Sequence, residues 1–112
     1  MEVTATNRYA GVSSRKARLL LEPLPGRTVQ DALHLLKFSR SPNAKLVAKI
    51  VKSAASNAEN NYAMDPDLLY VKRAFADEAR RLRRARPAGR GRVHNYNRHF
   101  SHITVIVDER EG

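Results

Sequence analysis

Cysteine is absent from the chain, which excludes a disulfide framework and thiolate metal sites and agrees with a reducing compartment. The N-terminal stretch Met1-Glu2-Val3-Thr4 lacks the basic start and apolar run of a secretory signal, and no segment approaches membrane-spanning length. A cytoplasmic protein without membrane contact is expected. Acid is missing from one whole region: residues 80 to 98 hold Arg80, Arg81, Arg83, Arg84, Arg86, Arg90, Arg92 and Arg98 and not one Asp or Glu. The chain's net charge is +10, so these eight arginines account for most of it and the remainder is nearly balanced. Such an imbalance repels itself unless a polyanion neutralises it, and a nucleic acid is the expected partner.

At 112 residues with 42% hydrophobic content, the chain has room for one modest core, and a single domain over 1–112 is expected. Val3 and Ala5 alternate with Thr4, Thr6 and Arg8, which predicts a short strand over residues 2 to 9. Ser13 or Ser14 can cap a first helix through Leu21, ended by Pro23 and Pro25-Gly26. Thr28 and Asp31 form a capping box with aspartate in the glutamate position, followed by Val29, Ala32, Leu33 and Leu36 at helical spacing as far as about Ser39. Ser41-Pro42 predicts the start of a third helix, with Val47, Ile50, Val51, Ala54, Ala55 and Ala58 as its apolar stripe and Asn60-Asn61 and Asp65-Pro66 as its end. That stripe is expected to pack on Leu69, Val71, Val105 and Val107, the apolar faces of strands over 67 to 78 and 101 to 109.

Both strands carry their apolar residues at odd positions, Leu69, Val71 and Phe75 in one and Ile103, Val105 and Val107 in the other. A one-residue slip would turn one set to the wrong face, so paired residue numbers should sum to an even number. The turn then centres on a residue, Ala88 or Gly89, in Pro87-Ala88-Gly89-Arg90-Gly91. Residues 78–100 are thus expected to form a protruding β-hairpin whose tip stands about 30 Å from the body at roughly 3.3 Å per residue. A hairpin of that length is marginal in water and needs an external partner.

The basic segment uses arginine without lysine. Guanidinium forks bind phosphate bidentately and stack on bases, which ammonium groups do less well, so this composition favours RNA contact over a merely solvated face. His94, Tyr96 and Phe100 add planar surfaces for unpaired bases, with core capping as the other use of Phe100. Lys16, Arg18, Lys45, Lys49 and Lys52 suit solvated helix faces singly and an extended RNA footprint together. His94, His99 and His102 lie among cations that oppose a metal ion, and neither a metal site nor a cofactor is expected. Asp77 and Glu78, as neighbours on a strand, face opposite ways and make a poor catalytic pair. Gly89 and Gly91 are turn glycines, without the strand-to-helix setting of a phosphate loop.

Ser14-Arg15-Lys16-Ala17-Arg18-Leu19, Ser53-Ala54-Ala55-Ser56-Asn57-Ala58-Glu59-Asn60, Ala76-Asp77-Glu78 and Ser101-His102-Ile103-Thr104-Val105 together resemble the bacterial ribosomal protein L-twenty-two family across nearly the whole chain. The resemblance implies an α+β fold, with three helices packed on a three-stranded antiparallel sheet and a long extended arginine-rich β-hairpin. It also implies a non-enzymatic constituent of the large ribosomal subunit that binds 23S-type rRNA, acts early in assembly and lines the polypeptide exit tunnel with its hairpin. Ribosomal protein L four and the nascent polypeptide would be neighbours there, and tip changes in that family are linked to macrolide resistance. The expected rRNA-binding residues are Arg8, Arg15, Lys16, Arg18, Arg80, Arg81, Arg83, Arg84, Arg86, Arg90, Arg92, His94, Tyr96, Arg98 and His99. The expected tunnel-lining tip comprises Leu82, Arg83, Arg84, Arg86, Pro87, Ala88, Gly89, Arg90, Gly91 and Arg92.

Three stretches depart from the family pattern. Glu22-Pro23-Leu24-Pro25-Gly26 replaces a more helical segment, so the first helix should stop early. Ala79-Arg80-Arg81 lacks the usual Gly-Pro step, and Asn97-Arg98-His99-Phe100 replaces a more basic run ending in threonine. Two other readings share some of these features. A free-standing basic RNA-binding regulatory protein would bind short isolated targets without an assembly context. A small nuclease would need His94, His99 or His102 arranged with Asp77 or Glu78 around a phosphate.

Overall fold

The computed structural model describes residues 2–80, 82–87, 89–91 and 93–110, and for 82–87, 90 and 93–98 the backbone alone. The elements run β1 (Val3–Ala10), α1 (Ser14–Leu21), α2 (Val29–Lys37), α3 (Ala44–Tyr62), β2 (Leu69–Glu78), β3 (Leu82–Pro87), β4 (Val93–Arg98) and β5 (Ser101–Glu109). Strands β1, β5 and β2 form an antiparallel sheet in that order, and β3 pairs with β4 as a two-stranded ribbon. Among the described residues no helix is long and apolar enough to cross a membrane.

The helices begin where short polar side chains can take the free amides of the first turn. Ser13 Oγ accepts from Lys16 N at 3.4 Å, and Thr28 Oγ1 accepts from Asp31 N at 3.2 Å. The third helix differs from expectation at both ends. Ser41 and Pro42 lie in a preceding turn, where Ser41 Oγ accepts from Asn43 N at 3.3 Å, and the helix starts at Ala44. At its other end Asn60 and Asn61 stay helical, and the chain leaves only at Ala63, which takes a left-handed conformation at φ 52. Two asparagines lower helix propensity too little to stop a helix whose preceding stripe is buried.

Helix α3 lies over β1 and β5, whereas the inner side of β2 is covered by α1 and α2. Val47, Ile50, Val51, Leu69, Val71, Val105 and Val107 are all buried in one core, together with Val3, Ala5, Leu21, Leu24 and Leu36. The expected packing of the α3 stripe is therefore correct for β5 and displaced for β2. Phe75 is the second correction. A bulge at Lys72 shifts the register between Val71 opposite Val107 and Arg73 opposite Ile106. Beyond it the residues that point inward on β2 are Ala74 and Ala76, and Phe75 turns to the outer face, where the Arg73 guanidinium lies 5.5 Å from its ring centre. Paired numbers sum to an even value before the bulge, to an odd value as far as Glu78 opposite Ser101, and to an even value again in the β3–β4 ribbon.

The free edge of β2 is covered in two places. Arg18 Nε and Nη2 both donate to Ala76 O, at 3.1 and 2.9 Å. At the other end, Gly26 N donates to Val71 O and Val71 N to Arg27 O, so residues 26–28 lie along the strand as a further short pairing. Gly26 at φ +87 makes this return possible, because the left-handed turn there is accessible to glycine without strain. The helix α1 stops at Leu21, as the proline-containing stretch requires, and Leu24 inserts fully buried into the core. These contacts protect an edge that would otherwise pair with another chain.

Candidate RNA interface

The ribbon joins Leu82 to Arg98, Arg83 to Asn97, Arg84 to Tyr96, Ala85 to Asn95, Arg86 to His94 and Pro87 to Val93. Its register places no arginine directly opposite another. A slip of one residue would set Arg83 against Arg98, and like charges across a strand pair repel. Charge thus reinforces the alignment within an all-basic segment. The turn centres on Arg90, one residue beyond Gly89, in a single 3-10 turn over Gly89–Gly91 with Gly91 at φ +74. Pro87 closes the ladder, as suits a residue without an amide to donate.

A two-stranded ribbon leaves the outward N–H and C=O groups of both strands unpaired and has no second layer to bury either face. The longest dimension of the molecule is 66 Å against 26 and 18 Å across, which fits a hairpin standing well away from the body. The side chains of Leu82, Arg83, Arg84, Arg86, Pro87, Arg90, His94, Tyr96 and Arg98 lie outside the described residues, as do Arg81, Ala88 and Arg92 altogether. The backbone alone sets where these expected contacts begin.

At the root of the ribbon Ala79 N donates to Phe100 O at 3.0 Å, continuing the pairing of β2 and β5 outward. Arg80 and His99 are exposed there. A cleft of about 260 Å³ at the root is lined by Ser13, Ser14, Arg15, Glu78, His99 and Phe100. It brings Arg15, at the start of α1, to the same place as His99. Arg8 and Lys16 are exposed on β1 and α1. Arg18 differs from the other body candidates: Nε and one terminal nitrogen already hold Ala76 O, so it builds the fold first.

His102 also serves the fold. A β1 bulge between Asn7 and Ala10 puts Tyr9 at φ 55, and Tyr9 N donates to His102 Nδ1 at 3.1 Å. Their rings meet edge to face with centres 4.8 Å apart. With Nδ1 accepting, the ring proton belongs on Nε2. Ser101, the first residue of the same motif, is fully buried and donates from Oγ to Val12 O at 2.9 Å. The Ser-His-Ile-Thr-Val run therefore ties the β1–α1 connection to the sheet. Tyr9 was not singled out from sequence, since nothing in the residues announces a bulge at that point. Among the described residues no group of three or more His, Asp or Glu side chains could hold a metal ion.

The outer face of the sheet has its own charge cluster. The bulge residue Lys72 reaches Glu2 at 2.6 Å and Asp108 at 3.8 Å. Its ammonium is held above the usual lysine range mainly by the hydrogen bond to Glu2, and Asp108 is held below the usual carboxylate range mainly by the backbone amide of Glu109. In this cluster the ammonium and carboxylate charges offset one another.

Comparison with known proteins agrees with this geometry. The family described as Ribosomal protein L22p/L17e matches residues 5–108. A protein of Dehalococcoides mccartyi named large ribosomal subunit protein uL22 is 49% identical over 107 residues, covering 96% of this chain and 98% of that protein. Proteins of the same name from Thermomicrobium roseum, 47% identical over 109 residues and covering 97% and 92%, and from Thermus thermophilus, 42% identical over 112 residues and covering 100% and 99%, are similar over the same span. With a body of three helices on a β1-β5-β2 sheet, an arginine ribbon and a match from residue 5 to residue 108, the chain belongs to the ribosomal protein L22p/L17e family.

Proposed function

We propose that this chain is a structural, non-enzymatic constituent of the large subunit of cytoplasmic ribosomes, anchored on 23S-type rRNA by its hairpin. The observation that carries this reading is the two-stranded ribbon of β3 and β4, whose strands carry arginine on both arms and no acid. RNA supplies what the ribbon lacks: phosphates for the guanidinium groups, base faces for Tyr96 and His94, and hydrogen-bonding partners for the outer backbone edges. Arg8, Arg15, Lys16, Arg80 and His99 extend that contact across the root and body. Arg18 contributes its remaining nitrogen while holding Ala76.

The hairpin tip around Gly89–Gly91 lines the polypeptide exit tunnel beside ribosomal protein L four, with the nascent chain passing it. Binding to rRNA by the body and hairpin together belongs to an early stage of subunit assembly, since a ribbon surrounded by RNA is more readily enclosed than threaded in later. Fractionation of cells expressing a tagged chain tests the proposal. The tagged chain is expected to co-sediment with the large subunit and its precursors. A pool found only in the ribosome-free fractions would overturn it and favour a free-standing regulator.

A further inference from the structure

The chain has two basic surfaces of different chemistry. The hairpin segment holds arginine and no lysine. A groove of about 680 Å³ between α2 and α3 holds the reverse, with Lys37, Lys45, Lys49 and Lys52 on its walls and no carboxylate among its described lining residues. Lys45, Lys49 and Lys52 recur at helical spacing and so share one side of α3. Among the described residues none of the four is ion-paired. The floor between them is apolar, with Leu33 and Ala48 partly exposed and the core residues Leu36 and Ala44 beneath.

Across α2 a second cleft, of about 650 Å³, includes Leu19, Leu35 and Phe38. Phe38 is 77% and Leu19 70% exposed. The two clefts share His34, Leu36 and Ser39, so α2 is a ridge with apolar side chains on both flanks. An RNA backbone would use the ammonium groups and leave the leucine floor wet. An amphipathic helix uses both: apolar anchors displace water from the floor, and carboxylates beside them meet the lysines, whose stems lie along the apolar walls.

We propose that the α2–α3 groove, with Phe38 at its shoulder, docks an acidic amphipathic helix of a protein partner. The start of α2 is tied to Tyr70, at the end of β2 opposite the hairpin root at Glu78, so the groove can be filled while the hairpin is held by RNA. The inference stands on the groove alone and survives if the hairpin reading fails.

The probe is a synthetic helical peptide about five turns long, with leucines at i, i+3, i+4 and i+7 and glutamates beside them. It is compared with a scrambled peptide of the same composition and with a short oligouridine RNA. Binding to the full-length isotope-labelled chain is followed by amide chemical shifts and fluorescence anisotropy, in a background carrying Arg83→Gln and Arg84→Gln. The patterned peptide is expected to shift amides in residues 30–52 and to bind about tenfold more tightly than its scramble, a difference of about 1.4 kcal/mol. Phe38→Ser, at a side chain too exposed to hold the core, and the triple variant Lys45→Gln, Lys49→Gln, Lys52→Gln should each weaken it about tenfold, with unchanged thermal unfolding as the control for folding. Equal binding of the two peptides, no response to Phe38→Ser, or shifts confined to residues 80–98 would overturn the proposal. Loss of oligouridine binding in the lysine variant, with peptide binding intact, would overturn it in favour of RNA.

Discussion

Arg18 illustrates how a cation on an exposed helix can serve the fold before it serves a ligand. Its two hydrogen bonds to Ala76 O fasten α1 to the edge of β2. Arg18→Met keeps most of the stem and removes both charged donors, and should cost about 1–2 kcal/mol in urea unfolding. An unchanged midpoint would show that water replaces the guanidinium without loss. Val51 is fully buried between α3 and the sheet. Val51→Asp would strand a carboxylate there and should cost more than about 3 kcal/mol, read as a collapse of the thermal midpoint. At Asp108 the folded state holds the carboxyl below its ordinary value of 3.8, chiefly through the Glu109 amide. The stability this contributes is present above that ordinary value and is lost as pH falls through the depressed one. Asp108→Asn should therefore lower the urea midpoint at neutral pH and match the parent chain in strong acid; a pH-independent difference would contradict this.

At the scale of elements, the caps and the apolar periods were legible because they are local. Ser13 and Thr28 cap their helices and the strand over 101–109 stands where the residues put it, whereas the expected box at Thr28 closes one way only, from Asp31 N to Thr28 Oγ1. The bulge at Lys72 was missed, although Arg73 interrupts the odd-numbered apolar set of Leu69, Val71 and Phe75 and the apolar positions pass to Ala74 and Ala76, a change of phase that fits one extra residue in the strand. Ala74 and Ala76 leave room under α1 where Phe75 would not, so one extra residue in β2 is tolerated to turn the large ring outward. The even sums of the ribbon do not follow from the β2 and β5 faces, which pair with odd sums from Arg73 to Glu78, and the turn centres on Arg90 rather than on Ala88 or Gly89. Of the candidate site, the arginine segment could be read directly from composition. The tying roles of Arg18 and His102 could not, since both depend on partners more than fifty residues away. For the ribbon itself the account predicts a charge-driven contact. Arg83→Gln with Arg84→Gln should flatten the slope of log affinity against log salt by roughly 1.5 for structured rRNA fragments. A slope equal to that of the parent chain would remove these two residues from the phosphate contacts.

At the scale of the whole molecule, a body with a continuous core carries a two-stranded ribbon. Ordering some twenty residues costs about 1–2 kcal/mol each in backbone entropy. The hairpin segment offers few large apolar side chains, chiefly Leu82, Val93, Tyr96 and Phe100, whose burial contributes about 2 kcal/mol each at best. Eight like charges add repulsion to that deficit. The ribbon should hold its form when RNA surrounds it, and the body should hold its own in either setting. Amide hydrogen exchange over residues 80 to 98, measured in the free chain and in the assembled large subunit, tests this most directly. The account predicts fast exchange in the free chain and strong protection in the subunit; amides equally unprotected in both would contradict burial of the hairpin in ribosomal RNA.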